Sequence, residues 1–267
     1  MQLATRRVGS GPTLICHPGG PGFSAAELAD VGGLGATREL VLVDPRGTGA
    51  SPAPTDGGAY TTDDYVADLE ELRETLARET LDLLGFSHGG IVAMAYAAAH
   101  PRRVGKLVLA STIAAVTEET TAEMERVKAE KADEPWYAGA FAALEQEERG
   151  DYDDFTAMWT AMAPMYFHRW DERYRGWLTA SVEGSSAAPL RVFNAQPFDL
   201  RADLAQIEAE TLVITGADDF ICGPAAATAI AAGIRGAETV ILERAGHMTF
   251  VEQPDAFRQA VEAFLAR

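Results

Sequence analysis

Six apolar runs of strand length recur along the chain: TLICH (13–17), ELVLVD (39–44), LDLLGF (81–86), KLVLAS (106–111), TLVIT (211–215) and ETVILE (238–243). They are apolar almost throughout rather than at alternate positions, and helical segments separate most of them. A strand that is apolar on both sides has to be covered on both sides, which is the condition of a parallel sheet between layers of helices. TTDDYVADLEELRETLARET reads as one crossover helix: Tyr65, Leu69, Leu72 and Leu76 share a face, Thr or Asp is available as N-cap, and acids fill the first turn. Nearer the N-terminus, LATRRV and TLICH flank GSGP, which predicts an antiparallel hairpin leading into the parallel part. With 267 residues, 47% of them hydrophobic, the chain suits one scaffold with an insertion better than two independent domains.

The alternation stops after KLVLAST and resumes near Leu212. Between them TAEMERVKAEKA, YAGAFAALEQEE and YDDFTAMWTAMAPMYF read as helices. All four tryptophans, Trp136, Trp159, Trp170 and Trp177, fall in this stretch, with four of the seven methionines. The expected organisation is a core of residues 1–113 and 196–267 with a helical lid, 114–195, inserted into it. A formal charge of -18 sets the chain against phosphate backbones and anionic lipid headgroups, so neither nucleic acid nor membrane is an expected partner. Two cysteines, Cys16 and Cys222, are too few for a disulfide framework and are not spaced as a metal knuckle. MQLATRR has no apolar signal-like region, and the longest apolar run, IVAMAYAAA, is far short of a membrane span. The expectation is a cytoplasmic protein with reduced thiols, a small-molecule substrate as partner, and no bound cofactor or metal; nothing in the sequence indicates its oligomeric state.

One serine stands out. GFSHGG fits G-x-S-x-G, with the strand LDLLGF before it and the helix-like GGIVAMAYAAA after it. A sharp strand-to-helix turn strains the nucleophile's backbone and requires small neighbours, here Gly85 and Gly89, while lifting the Ser87 hydroxyl above the sheet at the positive end of the next helix. A serine needs a base, and the base an orienting acid. His88 adjoins Ser87, but neighbouring side chains on an elbow diverge. His100 reads as a helix end, His168 as a packing or surface residue, and His17 as a structural hydrogen-bonder before a glycine loop. His247, in ERAGHMTFVEQPDAF, follows the last strand, at the sheet edge where open α/β sheets place their ligands. TLVITGADDFICGP offers Asp218 and Asp219 at the same edge. For the oxyanion, one donor is the N–H of His88; the other comes from HPGGPG, where Pro18 and Pro21 lack an N–H and leave Gly19, Gly20 or Gly22.

Together these residues resemble the α/β-hydrolase superfamily, and within it the prolyl aminopeptidase (proline iminopeptidase) group, over nearly all of the chain outside the lid. HPGGPG is similar to that group's HGGPG oxyanion loop, DPRGTGAS (44–51) to its D-x-R-G-x-G-x-S segment, and GADDFICGP to its G-x-x-D-x-x-x-P acid loop. The resemblance implies an α/β-hydrolase fold, a mostly parallel, doubly wound sheet with an inserted helical lid; at its N-terminus the chain departs from the family by one strand of the usual eight. It implies Ser87, Asp219 and His247 as catalytic residues, the spacing from Gly216 selecting Asp219 over Asp218, and His88 with Gly19 or Gly20 as the oxyanion hole. Arg46 and Ser51 read as scaffold residues holding their loop near the oxyanion loop, and Pro52 stands where a dinucleotide fingerprint needs a third glycine. The chain departs from the peptidases at His88, where they usually carry tryptophan. They also grip a free amine with lid carboxylates; here Glu145, Glu147, Glu148, Asp153, Asp154 and Asp171 are available, none in a matched motif, and they read mostly as a solvated face. Phe23, Trp136, Trp159 and Trp170 are candidate substrate contacts in an apolar, adaptable pocket. The expected activity is a cofactor-free serine hydrolase acting on an ester or amide of a small, largely apolar molecule. The alternatives are a C–C bond hydrolase, lactonase, thioesterase or acyltransferase on the same scaffold, or a ligand-binding protein that retains the triad; an epoxide hydrolase or dehalogenase is disfavoured, because the elbow residue is not a carboxylate.

Overall fold

Seven strands form one sheet: β1 (Thr5–Gly9), β2 (Thr13–His17), β3 (Glu39–Val43), β4 (Leu81–Phe86), β5 (Val104–Ala110), β6 (Glu210–Gly216) and β7 (Glu238–Leu242). These belong to a computed structural model that describes residues 1–152 and 154–267; Asp153, one of the acids named above, lies outside the described residues. The strand order is β1-β3-β2-β4-β5-β6-β7, and every pairing is parallel except that of β1 with β3. The expected β1–β2 hairpin is therefore corrected. β2 is buried along nearly its whole length and takes a central place between β3 and β4, whereas Thr5, Arg6 and Arg7 of β1 are exposed and suit only an edge. The chain crosses over, and Thr5 pairs with Val43.

The helices are α1 (Thr62–Thr75), α2 (His88–Ala99), α3 (Glu118–Glu130), α4 (Tyr137–Arg149), α5 (Phe155–Met162), α6 (Arg175–Ser181), α7 (Ala187–Asn194), α8 (Pro224–Gly233), α9 (Thr249–Glu252) and α10 (Pro254–Leu265). Successive strand residues face opposite sides, so the central strands feed two cores. Ile15, Val41, Leu83, Leu107 and Val213 pack with Tyr65 and Leu69 of α1, Met94 and Tyr96 of α2 and Ile230 of α8. Leu14, Leu42, Phe86, Val108 and Ile214 pack on the other side with Phe257 and Phe264 of α10. That second core continues without a break into Val127, Leu144, Trp159, Met162 and Leu178, on the helices between β5 and β6.

Local signals start these helices. Thr61 and Asp64 form a reciprocal capping box on α1, Thr117 and Thr120 do the same on α3, and Asp154 caps α5. Arg46 is buried, but it fastens α1 through Asp68 (Nε to Oδ2, 2.7 Å) and the Asp64 carbonyl, with the Ala59 carbonyl just before the helix as a further acceptor, and Ser51 bonds to Ala4 and Asp44. The side chain reaching the segment after the oxyanion loop is instead that of Asp44, which accepts the Ala25 N–H at 2.9 Å. A guanidinium needs carboxylate and carbonyl acceptors, and α1 supplies them. Among the described residues no helix is long and apolar enough to cross a membrane.

Candidate active site

β4 ends at Phe86, and α2 begins at His88, so Ser87 alone makes the turn between them. Its backbone stands at φ 52°, ψ -119°, a region that L-residues with a side chain rarely adopt. The turn is over-determined by its surroundings. Ser87 donates its N–H to the Ala110 carbonyl at the end of β5, and its own carbonyl accepts from Gly90 N–H and the Thr112 hydroxyl. A β-carbon on Gly85 would lie 2.3 Å from the Gly89 carbonyl oxygen, and one on Gly89 would lie 2.4 Å from the carbonyl oxygens of His17 and Pro18. Both sites exclude any larger residue, and that packing lets the elbow sit against the oxyanion loop.

Asp219 and His247 come together from the loops after β6 and β7. Asp219 is 0% exposed and His247 is 2% exposed; His247 Nδ1 and Asp219 Oδ2 are 2.8 Å apart. The other carboxylate oxygen of Asp219 accepts the N–H groups of Ile221 and Cys222, each at 3.0 Å. Burial alone would raise the pKa of Asp219. The His247 charge and hydrogen bond and the two backbone donors outweigh it and hold the carboxyl below its ordinary value. Asp218, the adjacent acid, turns outward and pairs with His168 at 2.7 Å. The His247 ring packs on Phe86, 5.1 Å between centroids, which brings it beside the elbow; no hydrogen bond joins it to the Ser87 hydroxyl among the described residues.

The remaining histidines are accounted for separately. His17 bonds to the Pro18 carbonyl, and burial lowers its pKa to about 4. His88 is 4% exposed, and burial, with a smaller contribution from His17, lowers its pKa to about 3, so its ring is neutral. His100 packs tilted against Tyr96 at the end of α2.

The glycine loop divides the three backbone candidates. Gly19 already gives its N–H to the carboxyl of Glu27, at 2.6 Å. The N–H groups of Gly20 and His88 carry no hydrogen bond among the described residues. Gly20 has φ +106°, where a side chain is strained, and it borders the same cavity as Ser87 and His88. Gly20 and His88 thus bring uncommitted N–H groups to the cavity that holds Ser87, and Gly19 is committed elsewhere.

Two cavities meet at Gly20, Phe193 and Ile221. One, of about 200 Å³, holds Ser87 and His88 against Ile91, Ile113, Met124 and Phe198. The other, of about 150 Å³, is walled by Phe23, Phe155, Trp159 and Tyr166 and contains one carboxylate, Glu147, bonded to Asn194 at 2.6 Å. Burial raises the pKa of Glu147; the Asn194 hydrogen bond works the other way. Of the four proposed substrate contacts, the structure brings Phe23 and Trp159 to this cavity. Trp136 and Trp170 line neither. Trp136 packs half-buried just before α4, and Trp170, in the segment between Tyr166 and Glu172, packs on Phe167 and Tyr174, since a large aromatic in a connecting segment buries itself against its nearest apolar neighbours. Glu145, Glu148, Asp154 and Asp171 are exposed, the latter two capping helical turns.

Sequence reasoning singled out neither Glu27 nor Phe193 nor Ile221. A lone acid in the otherwise uncharged stretch FSAAEL, just past the oxyanion loop, was the available signal for Glu27.

The model of the alpha/beta hydrolase fold family matches residues 12–254. A proline iminopeptidase of Levilactobacillus brevis is 27% identical over 269 residues, covering 96% of this chain and 88% of the relative. The enol-lactonase of Burkholderia xenovorans superposes with a TM-score of 0.73 at 26% identity, over 99% of this chain and 96% of that one. An esterase of Exiguobacterium antarcticum has a TM-score of 0.78 at 22% identity, covering 99% and 96%, a likeness of fold alone.

Proposed function

The chain belongs to the alpha/beta hydrolase fold family and is a hydrolase, and on that premise we propose that it cleaves an ester or amide of a small, largely apolar molecule through a serine acyl-enzyme. The observation that carries the reading is the Asp219–His247 hydrogen bond, buried at the sheet edge beside the Ser87 elbow. Asp219 holds the Nδ1–H tautomer and stabilises the imidazolium, so Nε2 is the atom free to accept a proton. Ser87 attacks the carbonyl carbon as its proton passes to His247, and the N–H groups of Gly20 and His88, with the α2 N-terminus behind them, receive the charge on oxygen. His247 returns the proton to the leaving group; water then repeats the sequence on the acyl-enzyme. A nucleophile and base that lack a hydrogen bond before substrate binds are usual in such sites. The ring of His88 stays neutral and contributes its backbone alone.

Reaction with a fluorophosphonate tests this. The wild-type protein is labelled and Ser87→Ala is not; equal labelling of the two would falsify the nucleophile assignment. Removing such a nucleophile costs on the order of 10⁶-fold in kcat.

A second observation favours an amine-bearing substrate. Glu147 places a carboxylate in a cavity otherwise walled mostly by aromatic and aliphatic side chains, with no cation lining it among the described residues, and an ammonium group would satisfy it. This supports the aminopeptidase side of the proposal, as does the likeness to the iminopeptidase. The likeness to the enol-lactonase supports ester chemistry instead. Turnover of prolyl-arylamides alongside short acyl esters is the expected result; turnover of esters alone removes the peptidase reading and leaves the triad.

A further inference from the structure

We propose that Glu27 is a positioning residue for the oxyanion loop: by taking the N–H of Gly19 it fixes the loop so that the next N–H, that of Gly20, serves as the donor beside Ser87. The inference rests on the serine-hydrolase reading above. Glu27 is 1% exposed, on a 3-10 turn, Ala25–Leu28, that follows the loop. The turn is held from three sides. Ser24 caps it, Asp44 accepts the Ala25 N–H, and the Trp177 indole donates to the Glu27 carbonyl at 3.0 Å. The backbone is therefore not free to follow the loop; it is the carboxyl, at 2.6 Å, that draws Gly19 to it. A β-carbon on Gly19 would lie 3.2 Å from Glu27 Oε2 and 3.1 Å from Ser87 Cβ. The carboxyl and the nucleophile thus face each other across a single α-carbon.

That closeness makes the charge of Glu27 matter. A carboxylate there opposes the negative oxygen of the tetrahedral intermediate, while a neutral carboxyl still accepts the Gly19 N–H without opposing it. Burial pushes the pKa of Glu27 up to about 8, and the Gly19 N–H works the other way. The groups around it do not hold the charge. Arg6 of β1 is turned to the carbonyls of Ala25 and Ala29, and Asp44 is spent on the N–H groups of Ala25 and Ala50. His17 on the loop and His88 on the elbow are neutral, α6 presents the uncharged Trp177, and His247 lies across Phe86. Below its pKa, Glu27 anchors the loop as a neutral acceptor; above it, the acid ionises and transition-state stabilisation falls.

The test is phosphonylation by a fluorophosphonate, whose phosphoryl oxygen occupies the oxyanion position, with the maximal rate and the half-saturating concentration read separately from about pH 6 to about pH 10 in wild type, Glu27→Gln, Glu27→Leu and Ser87→Ala. In wild type the maximal rate declines above about pH 8. Glu27→Gln keeps an acceptor for Gly19 and cannot ionise: it stays within about threefold of wild type at pH 7 and loses the alkaline decline. Glu27→Leu lowers the maximal rate about 10- to 100-fold at every pH while half-saturation moves less than about threefold, the cost of a displaced donor. An alkaline decline retained by Glu27→Gln, or a Glu27→Leu protein as fast as wild type, overturns the proposal. If Glu27→Leu does not fold, the profile of Glu27→Gln decides alone. Labelling of Ser87→Ala would instead mark failure of the nucleophile assignment.

Discussion

The sheet edge and the helices between β5 and β6 meet at the same site by different means. At the sheet edge, backbone sets the positions: Ser87 is held by the ends of β4 and β5, Asp219 by two N–H groups of its own loop, and both glycines of the elbow are in contact with neighbouring carbonyls. The intervening helices are fastened to that edge largely by side chains. Lys131, buried after α3, donates to the carbonyls of Met165 and Phe167, and the carbonyl of Tyr166 between them accepts the His247 N–H at 2.7 Å. Glu252 accepts from His168 N–H with one oxygen and from Gly246 N–H with the other. His168 pairs with Asp218. The proposed chemistry thus rests on strand-end loops held by backbone contacts, and the proposed recognition on helices whose position depends on a few ionisable contacts.

Asp218 and Asp219 offer the hardest test of this division, because they are neighbours in sequence and belong to opposite sides of it. Asp219→Asn is expected to lower kcat on the order of 10³- to 10⁴-fold by offering His247 the wrong hydrogen-bonding partner. Asp218→Asn is expected to cost less than about tenfold, since it loosens only a half-exposed contact with His168. Steady-state kinetics on both variants checks it, and the reverse order would dissolve the distinction.

A smaller effect is expected at Glu147. Glu147→Gln keeps the size of the side chain and removes its charge, so kcat/KM for a prolyl-arylamide should fall about 10- to 100-fold, the range of a hydrogen bond to a charged group. An acyl ester without an amine should change less than about threefold. Equal losses on the two substrates would mean that Glu147 supports the helices and does not read the substrate.

The mildest effect is a pH dependence of the junction itself. Burial raises the pKa of Glu252 to about 7, with its two backbone donors and Lys131 working against the rise. The folded protein then binds this proton more tightly than the unfolded chain. Its contribution to stability is fullest below the ordinary value of 4.5 and is lost as the pH rises through about 7. Melting temperatures of wild type and Glu252→Gln, compared from about pH 5 to about pH 8, should show a shallower decline in the variant, superposed on a constant deficit from the N–H its amide nitrogen cannot accept. Parallel curves would remove Glu252 as a titrating link.

Much of this molecule is legible along the chain. Continuous apolar strands called for a covered parallel sheet, and GFSHGG between a strand and a helix called for an elbow, because both depend on sterics within a few residues. The residues alone left Asp218 and Asp219 open, and the resemblance to the family's G-x-x-D-x-x-x-P loop singled out Asp219, the residue the structure puts on His247. What the sequence could not decide depends on distant segments packing together. The place of β1 turned on which strand tolerates an edge, a competition among strands far apart in the chain. Gly19 and Gly20 are indistinguishable as letters, and only a carboxyl eight residues on, folded back at 2.6 Å, separates them. Glu145, Glu147 and Glu148 lie within one helical turn, and nothing in their spacing marks the one that faces the aromatic cavity. The rotation of α4 against α5 selects it, and that rotation is fixed by the burial of Ala140, Ala143 and Leu144 against the neighbouring helix rather than by anything in the spacing of the acids.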